Sequence, residues 1–431
     1  MPGDTRPSAL RRGFALLALV LAGETVFFLP FVLARIFRPT LLEVFDLTNV
    51  QLGAAFSLYG VVGMAAYFIG GPLADRFAPR LLLAVALVTT AAGGLLMASS
   101  PSLGALKWLF AYWGFTTIAL FWSALIKATR EWGGESLQGA AFGLLDGGRG
   151  LVTAVTGSVV VAIYAALLPA DVETAGMAQR THAFQQIILI MTGLTCASAV
   201  FLWFTLPRHG NAASREGPAF DFSGVQRALR LPAVWLQAFI VVCAYVGFKA
   251  TDDFSLYAKE VLVFNEVEAA RLGLVSLWMR PVGAIGAGLL ADRLGAGRMT
   301  VASFALIAAG AGVLALGPAD AGTVAVFLLS VVTASLGIFA LRGLYYAIMG
   351  EGGIPLAITG TAVGVVSVIG YTPDVFMGPL MGWLLDGTPG AGGHRQVFMV
   401  VAAFAVAGVI ASLVFLRLTR TCATPETTAA K

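Results

Sequence analysis

The sequence predicts an all-α membrane protein, with twelve transmembrane helices in two pseudo-symmetric six-helix bundles. Three observations carry this prediction. First, 58% of the 431 residues are hydrophobic and only 12% are charged, whereas a soluble domain carries about a quarter charged residues. Second, apolar runs recur along the whole chain at about 20 residues each, enough to cross a hydrocarbon core of about 30 Å. Third, a charged hinge occurs twice, as Gly71–Pro72–Leu73–Ala74–Asp75–Arg76–Phe77–Ala78–Pro79–Arg80 and as Gly288–Leu289–Leu290–Ala291–Asp292–Arg293–Leu294–Gly295–Ala296–Gly297–Arg298. Asp75 and Asp292 lie 217 residues apart, about half the chain. Matching hinges at matching places in two apolar halves imply an internal duplication.

Taken in order, the first six apolar runs cover 12–37, 49–73, 81–100, 103–127, 139–164 and 183–206. The second six cover 233–257, 272–291, 299–317, 322–349, 356–381 and 397–418, with the tenth and eleventh meeting around Gly350–Pro355. The expected organisation is a first bundle over 1–206, a polar connector over 207–232 holding Arg208, Arg215, Arg227 and Arg230, and a second bundle with a short tail over 233–431. At the N-terminus, Arg11–Arg12–Gly13–Phe14 before Ala15–Ala22 resembles a twin-arginine or secretory signal. No small-residue cleavage site follows, and the apolar run continues past Glu24 to about Phe37. A first span is expected there.

Lysine and arginine set the orientation. Placing both termini in the cytoplasm puts 16 basic residues on that side and 7 on the other, with Arg149, Lys249, Arg280 and Arg342 inside spans. Both hinges then face the cytoplasm, in a cell inner (plasma) membrane. No basic cluster interleaved with aromatics points to nucleic acid. The three cysteines suggest no disulfide framework. The sequence contains no His/Cys cluster, Ser–His–Asp arrangement or Gly…Gly-Lys-Ser/Thr phosphate loop, so neither an enzyme nor a cofactor or metal is expected.

The twelve spans, the basic central connector and the two hinges resemble the major facilitator superfamily of secondary transporters over essentially the whole chain. The second hinge fits the family's pattern of glycine, Asp–Arg, then glycine and basic residues. The first departs from it at Ala78 and Pro79. The resemblance implies that Asp75, Arg76 and Arg80, mirrored by Asp292, Arg293 and Arg298, latch the cytoplasmic side. The stretch from Trp132–Gly133–Gly134 through Gln138–Gly139 into Gly143–Leu144–Leu145–Asp146–Gly147–Gly148–Arg149–Gly150 is similar to the loop before the fifth span in the organophosphate and anion–cation branches. There, however, arginine is common where this chain has Gln138. The family's arginine in span 4 of proton-coupled members is absent, since Ala111 and Tyr112 occupy that region. The glycine–proline signature of drug–proton antiporters is absent from span 5, which has Thr156–Gly157–Ser158 instead.

A charge at mid-bilayer costs at least about 2.5–3.5 kcal/mol, so such residues face a cavity or a partner. Here they fall in spans 1 (Glu24), 5 (Asp146, Arg149), 7 (Lys249, Asp252, Asp253), 8 (Arg280), 10 (Arg342) and 11 (Asp374), while the interiors of spans 3, 6, 9 and 12 carry none. In the resembled fold those four spans are outer supports and the others line the path. Arg280, in Trp278–Met279–Arg280–Pro281, can grip an anion bidentately or bridge Asp374 or Asp253. Arg149 sits three residues after Asp146 on one helix face, either as a self-neutralising pair or as a substrate contact. Lys249 with Asp252 and Asp253 repeats that spacing, as a solvated vestibule pair or a substrate site. Glu24 has no basic residue within a turn, which suits proton exchange or a packed, hydrogen-bonded role. Arg342 serves a lower gate or the substrate. Asp374, after Pro373, interrupts span 11 as a partner for Arg280 or a coupling carboxylate. Tyr59 and Trp122 are the aromatics favoured as cavity residues, ahead of Tyr67, Trp113, Tyr245, Tyr345 and Tyr346. Arg35 and Lys127, near span ends, are expected to snorkel.

The function expected is secondary active transport of a small organic anion (carboxylate, sulfonate or phosphate) by alternating access, in a monomer. Its coupling partner is a proton or a counter-anion. The alternatives are an exporter of hydrophobic or cationic compounds selected by Glu24 and Asp374, an anion exchanger, or a non-transporting sensor. The unequal hinges predict that Asp75→Asn and Asp292→Asn slow transport to different extents; equal rates for the two variants would remove the asymmetry.

Overall fold

A computed structural model describes residues 9–134, 138–207, 222–317, 324–345, 347–352 and 359–422. The connector arginines Arg208 and Arg215, together with Tyr346 and the Gly353–Pro355 boundary between spans 10 and 11, lie outside the described residues. Among the described residues all regular structure is helical. Eleven helices are long and apolar enough to cross a membrane, and a bent pair, Leu10–Thr25 with Phe28–Ile36, completes a twelfth span. Spans 2–6 are Asn49–Arg76, Pro79–Ala98, Leu103–Gly133, Ala141–Leu167 and Met177–Thr205. Spans 7–12 are Pro232–Glu260, Glu266–Leu294, Ala296–Leu316, Val324–Leu344, Ala362–Gly387 and Ala391–Thr419. The expected twelve-helix fold is present, and within the connector a short helix, Phe222–Leu229, precedes span 7.

Local chemistry sets the ends of the spans. Span 8 starts at a capping box. Asn265 Oδ1 accepts from the Val267 and Glu268 amides at 3.1 and 3.0 Å, and Glu268 Oε2 accepts from the Asn265 amide at 3.1 Å. It ends at Gly295, whose φ of 90° is a conformation that L side chains rarely adopt. The first hinge turns without such a glycine: Ala78 is extended (φ −62°, ψ 134°) and Pro79 opens the next helix. Proline holds its predecessor extended and suits the first helical position. The departure at Ala78–Pro79 is thus a second way of making the same corner.

The chain divides into two compact units: Met1–Ala34 with Val61–Glu216, and Arg35–Gly60 with Gly217–Lys431. In the first unit, spans 1, 3, 4, 5 and 6 share an apolar core around Leu19, Leu83, Phe121, Leu125 and Leu202. In the second, the core runs through Val241, Phe304, Val331, Leu341 and Phe398. Outward faces carry large apolar side chains, such as Trp108 and Phe204, as lipid contact requires.

The first half of span 2 is built into the second unit by glycines. A Cβ on Gly53 would lie 2.3 Å from the Gly378 carbonyl oxygen, and one on Gly382 would lie 2.5 Å from that of Asn49. Small residues let backbones approach where the hydrophobic effect gives no help. Asp386 adds a cap on the same helix, accepting from the Asn49 and Val50 amides at 3.1 and 2.8 Å. Overpacking costs about 1–3 kcal/mol, so Gly53→Ala should lower the melting temperature of the purified protein clearly. An unchanged melting curve would show that this contact is loose.

Candidate functional site

Each unit holds a cluster of buried charges. In the first, Glu24 is 2% exposed and Arg149 is 6% exposed. Arg149 Nε lies 3.2 Å from Glu24 Oε2, and Arg149 NH1 lies 3.6 Å from Asp146 Oδ1. Thr153 donates its hydroxyl to the other Glu24 oxygen. The guanidinium stands 5.7 Å from both the Phe27 and the Trp122 ring centroids, within cation–π range. The expected Asp146–Arg149 pair is present. Glu24, however, is not lone: its partner comes from span 5, 125 residues away.

Backbone irregularity flanks this cluster. After Glu24 the first span bends and passes through a π-helical turn, Phe28–Val32, that contains Pro30. Span 4 contains another, Thr116–Trp122, which ends on the tryptophan facing Arg149. Such turns are frequent at functional sites. The sequence carries only a weak signal for them, namely Pro30.

In the second unit, span 7 stops at Ala250 and restarts at Phe254. The break places Lys249 and Asp252 inside the protein at 2% and 3% exposure. Lys249 Nζ lies 3.4 Å from Asp252 Oδ2 and 3.5 Å from Asp374 Oδ1, and 4.9 Å from the Phe56 ring. Arg35 Nε meets Asp252 Oδ1 at 2.7 Å. Asp374 follows a second break, where Pro373 opens the latter part of span 11, and Tyr245 donates to it at 3.1 Å. Tyr245 meets Tyr371 edge-on with centroids 5.0 Å apart, and Tyr371 and Tyr345 share a hydroxyl contact of 3.3 Å. The Phe248 ring lies beneath two guanidiniums, Arg342 at 4.1 Å and Arg35 at 4.5 Å.

Three expectations are corrected here. Lys249 and Asp252 are buried rather than solvated, because the helix break turns them inward. Arg35 does not snorkel: at 4% exposure it bridges span 1 to span 7. Asp374 is held by Lys249 and Tyr245, and Asp253 by His394. Lys127 turns back to the Ala74 carbonyl at 2.6 Å.

Arg280, 6% exposed, sits in the unbroken helix Glu266–Leu294. One turn on, Gly283 packs against Leu336 and Ala340 of span 10, and Ala284 packs against Gly343. Arg280 and Arg342 therefore flank the same helix crossing. Tyr59 is buried in span 2. The hinge residues Asp75, Arg76, Asp292, Arg293 and Arg298 are exposed, while Arg80 stacks on Trp203 at 4.1 Å. The participants that sequence reasoning missed are Arg35, Thr153, Phe27, Phe248 and Tyr371. Arg35 alone had a signal, as a charge beside an apolar run.

Twelve apolar helices with ion clusters at helix breaks define a multi-pass membrane protein of the transporter class. The chain belongs to the Major Facilitator Superfamily, whose model matches residues 14–372, and it is thus a secondary transporter rather than an enzyme. Among curated relatives, the inner membrane protein YqcE of Escherichia coli K12 is 25% identical, covering 98% of this chain and 99% of its own. The probable nitrate/nitrite antiporter NarK1 of Thermus thermophilus is 27% identical over 72% of this chain and 67% of its own. Among solved structures, the nucleoside transporter NupG matches with a TM-score of 0.69 at 12% identity, covering 94% of this chain and 99% of its own. A bacterial homologue of the human lysosomal transporter Spinster matches with a TM-score of 0.70 at 15% identity, covering 96% and 99%.

Removing one member of a buried ion pair costs about 3–5 kcal/mol, because the other charge is stranded. Arg149→Met should therefore destabilise the protein strongly, and Glu24→Gln added to it should restore much of the loss. A double-mutant cycle on thermal or denaturant unfolding measures the coupling. Strictly additive effects would mean that the two side chains do not meet.

Proposed function

We propose that the protein moves a small anion of the carboxylate, sulfonate, phosphate or oxyanion class across the inner membrane, coupled to protons, by alternating access. The observation that carries this reading is the sign of the buried charge in the second unit. Lys259 holds Glu266 at 2.7 Å, and His394 holds Asp253 at 2.8 Å. Apart from those pairs, the buried cations Arg35, Arg38, Lys249 and Arg280 and the half-buried Arg342 outnumber the buried Asp252 and the half-buried Asp374 among the described residues. Guanidinium groups at a low-dielectric site recognise planar oxyanions through paired N–H donors. Tyr245, Tyr345 and Tyr371 add hydroxyls beside them. The nitrate/nitrite names of NarK1 and of NarK2 from Mycobacterium tuberculosis accord with an anionic substrate, and the name of YqcE with an inner-membrane location.

In this reading Arg280 and Arg342 contact the substrate, with Lys249 and Arg149 as ion-pair members that rearrange during the cycle. Tyr59 and Trp122 line the path. Glu24 and Asp374 are the coupling carboxylates, Asp146 and Asp252 being the other acids of those networks. The hinge residues Asp75, Arg76, Arg80, Asp292, Arg293 and Arg298 form the cytoplasmic latch, with both termini on that side. Export of cations is the weaker reading, because Glu24 and Asp374, the acids that would select them, already face Arg149 and Lys249.

A thermal-shift screen of the purified protein against nitrate, lactate, methanesulfonate, glycerol phosphate and a cationic dye tests the class. Anions should raise the melting temperature, and Arg280→Ala should abolish that rise while the unliganded protein remains folded. Stabilisation by the dye alone would overturn the anionic class. Full anion stabilisation in Arg280→Ala would remove that residue from the site.

A further inference from the structure

We infer that His394, Asp253 and Glu260 form a proton-binding site in the second unit, separate from the Lys249 cluster and unclaimed by the anion site. His394 stands in the first turn of Ala391–Cys422 and is 0% exposed, as is the side chain of Asp253. Its Nδ1 lies 2.8 Å from Asp253 Oδ2 and its Nε2 lies 3.2 Å from Glu260 Oε2. A neutral imidazole has one donor and one acceptor, whereas an imidazolium has two donors. Both contacts are hydrogen bonds only when the group holds an extra proton. Imidazole is the most basic of the three groups, so the proton belongs on the ring. Without it, a nitrogen lone pair would face a carboxylate oxygen in a site where an unmade hydrogen bond costs about 1–3 kcal/mol.

The surroundings give the site direction. Tyr257 meets the His394 ring edge-on at 5.2 Å. Phe327 stacks on Tyr257 at 4.7 Å, and Phe254 stacks on Phe398 at 6.0 Å. These aromatics wall the ring off from water. The Glu260 side chain is 33% exposed, the most accessible of the three. Asp253 Oδ1, at the closed end, is buried without a hydrogen-bond donor among the described residues. The order is therefore an open carboxylate, a buried base and a closed carboxylate, an arrangement that loads a proton from the Glu260 end.

The neighbouring charges are otherwise engaged. Lys259 pairs with Glu266, Arg395 donates to the Gly317 carbonyl at 2.7 Å, and Arg38 donates to Asn49 at 2.9 Å; Glu43, on the same short helix as Arg38, is exposed. One peptide bond links Asp253 to Asp252, the partner of Arg35 and Lys249. Loading the site thus bears directly on the ion cluster. This extends the proton-coupled reading above, but its test needs no substrate, so the two can fail separately.

The chain has three histidines, His182, His209 and His394. In a His182→Gln/His209→Gln protein, labelled with ¹⁵N-histidine and held in lipid nanodiscs, His394 is the sole imidazole. Nitrogen chemical shifts should report a doubly protonated ring at pH 7.5, where a free imidazole is about nine-tenths neutral. Adding Asp253→Asn should convert the ring to a neutral tautomer at the same pH. A neutral ring in the parent, or a doubly protonated ring that Asp253→Asn leaves unchanged, would overturn the site.

Discussion

The cost of holding charge away from water governs this structure. A lone charge at mid-bilayer is unfavourable by at least about 2.5–3.5 kcal/mol, and Lys249 shows how the fold answers that cost. It stands between Asp252, one turn along its own span, and Asp374 of span 11. Asp252 in turn holds Arg35, which comes from the end of span 1. A single connected network therefore pins three segments that are distant in sequence. Because Asp252 is shared by two cations and Lys249 by two carboxylates, displacing one cation changes the electrostatics of the next. Such a network can be stable and still switch, since an arriving anion can substitute for a carboxylate at little net cost in charge.

Helix breaks make this network possible. A continuous helix satisfies its own backbone and offers a solute no free backbone groups. Span 1 breaks just after Glu24, span 7 between Lys249 and Asp253, and span 11 just before Asp374. The first span of each half thus carries a charged break at a comparable place, which is the duplication expressed in backbone geometry. Each break loosens the i to i−4 ladder where a side chain must turn inward. Pro30 and Pro373 supply two of these interruptions through their missing amide protons. Span 7 has no proline at its break; there the packed ion pairs hold the turn.

The fold was legible because lipid imposes a ruler: a span needs length and apolarity, and both are local properties of the sequence. The identity of the charged residues was legible for the same reason, since a charge inside an apolar run stands out. Their pairing was not. Glu24 finds Arg149 at a separation of 125 residues, and Arg35 finds Asp252 at a separation of 217, so no helical spacing encodes either contact. Only Asp146–Arg149 and Lys249–Asp252, each three residues apart, could be read from periodicity. Burial misled for Arg35: proximity to the end of an apolar run suggested water, but a helix break carried the side chain inward. His394 escaped notice because it sits at the edge of its apolar run, although the packed helix buries it fully.

The two units hold their charge differently, and the difference suggests a division of labour. In the first, one arginine faces two carboxylates, Glu24 and Asp146, leaving an excess of negative charge that a proton can neutralise. In the second, the central cations outnumber the central acids, leaving an excess that an anion can neutralise. Neither imbalance is comfortable in a membrane, and on the proposed reading each would be relieved by one partner of a coupled pair. Loading both would bring each interior closer to neutrality, whereas loading either alone would leave more net charge to be carried across a medium of low dielectric constant. Charge balance would then enforce coupling without a dedicated path joining the two ligands, as each would lower the cost of moving with the other.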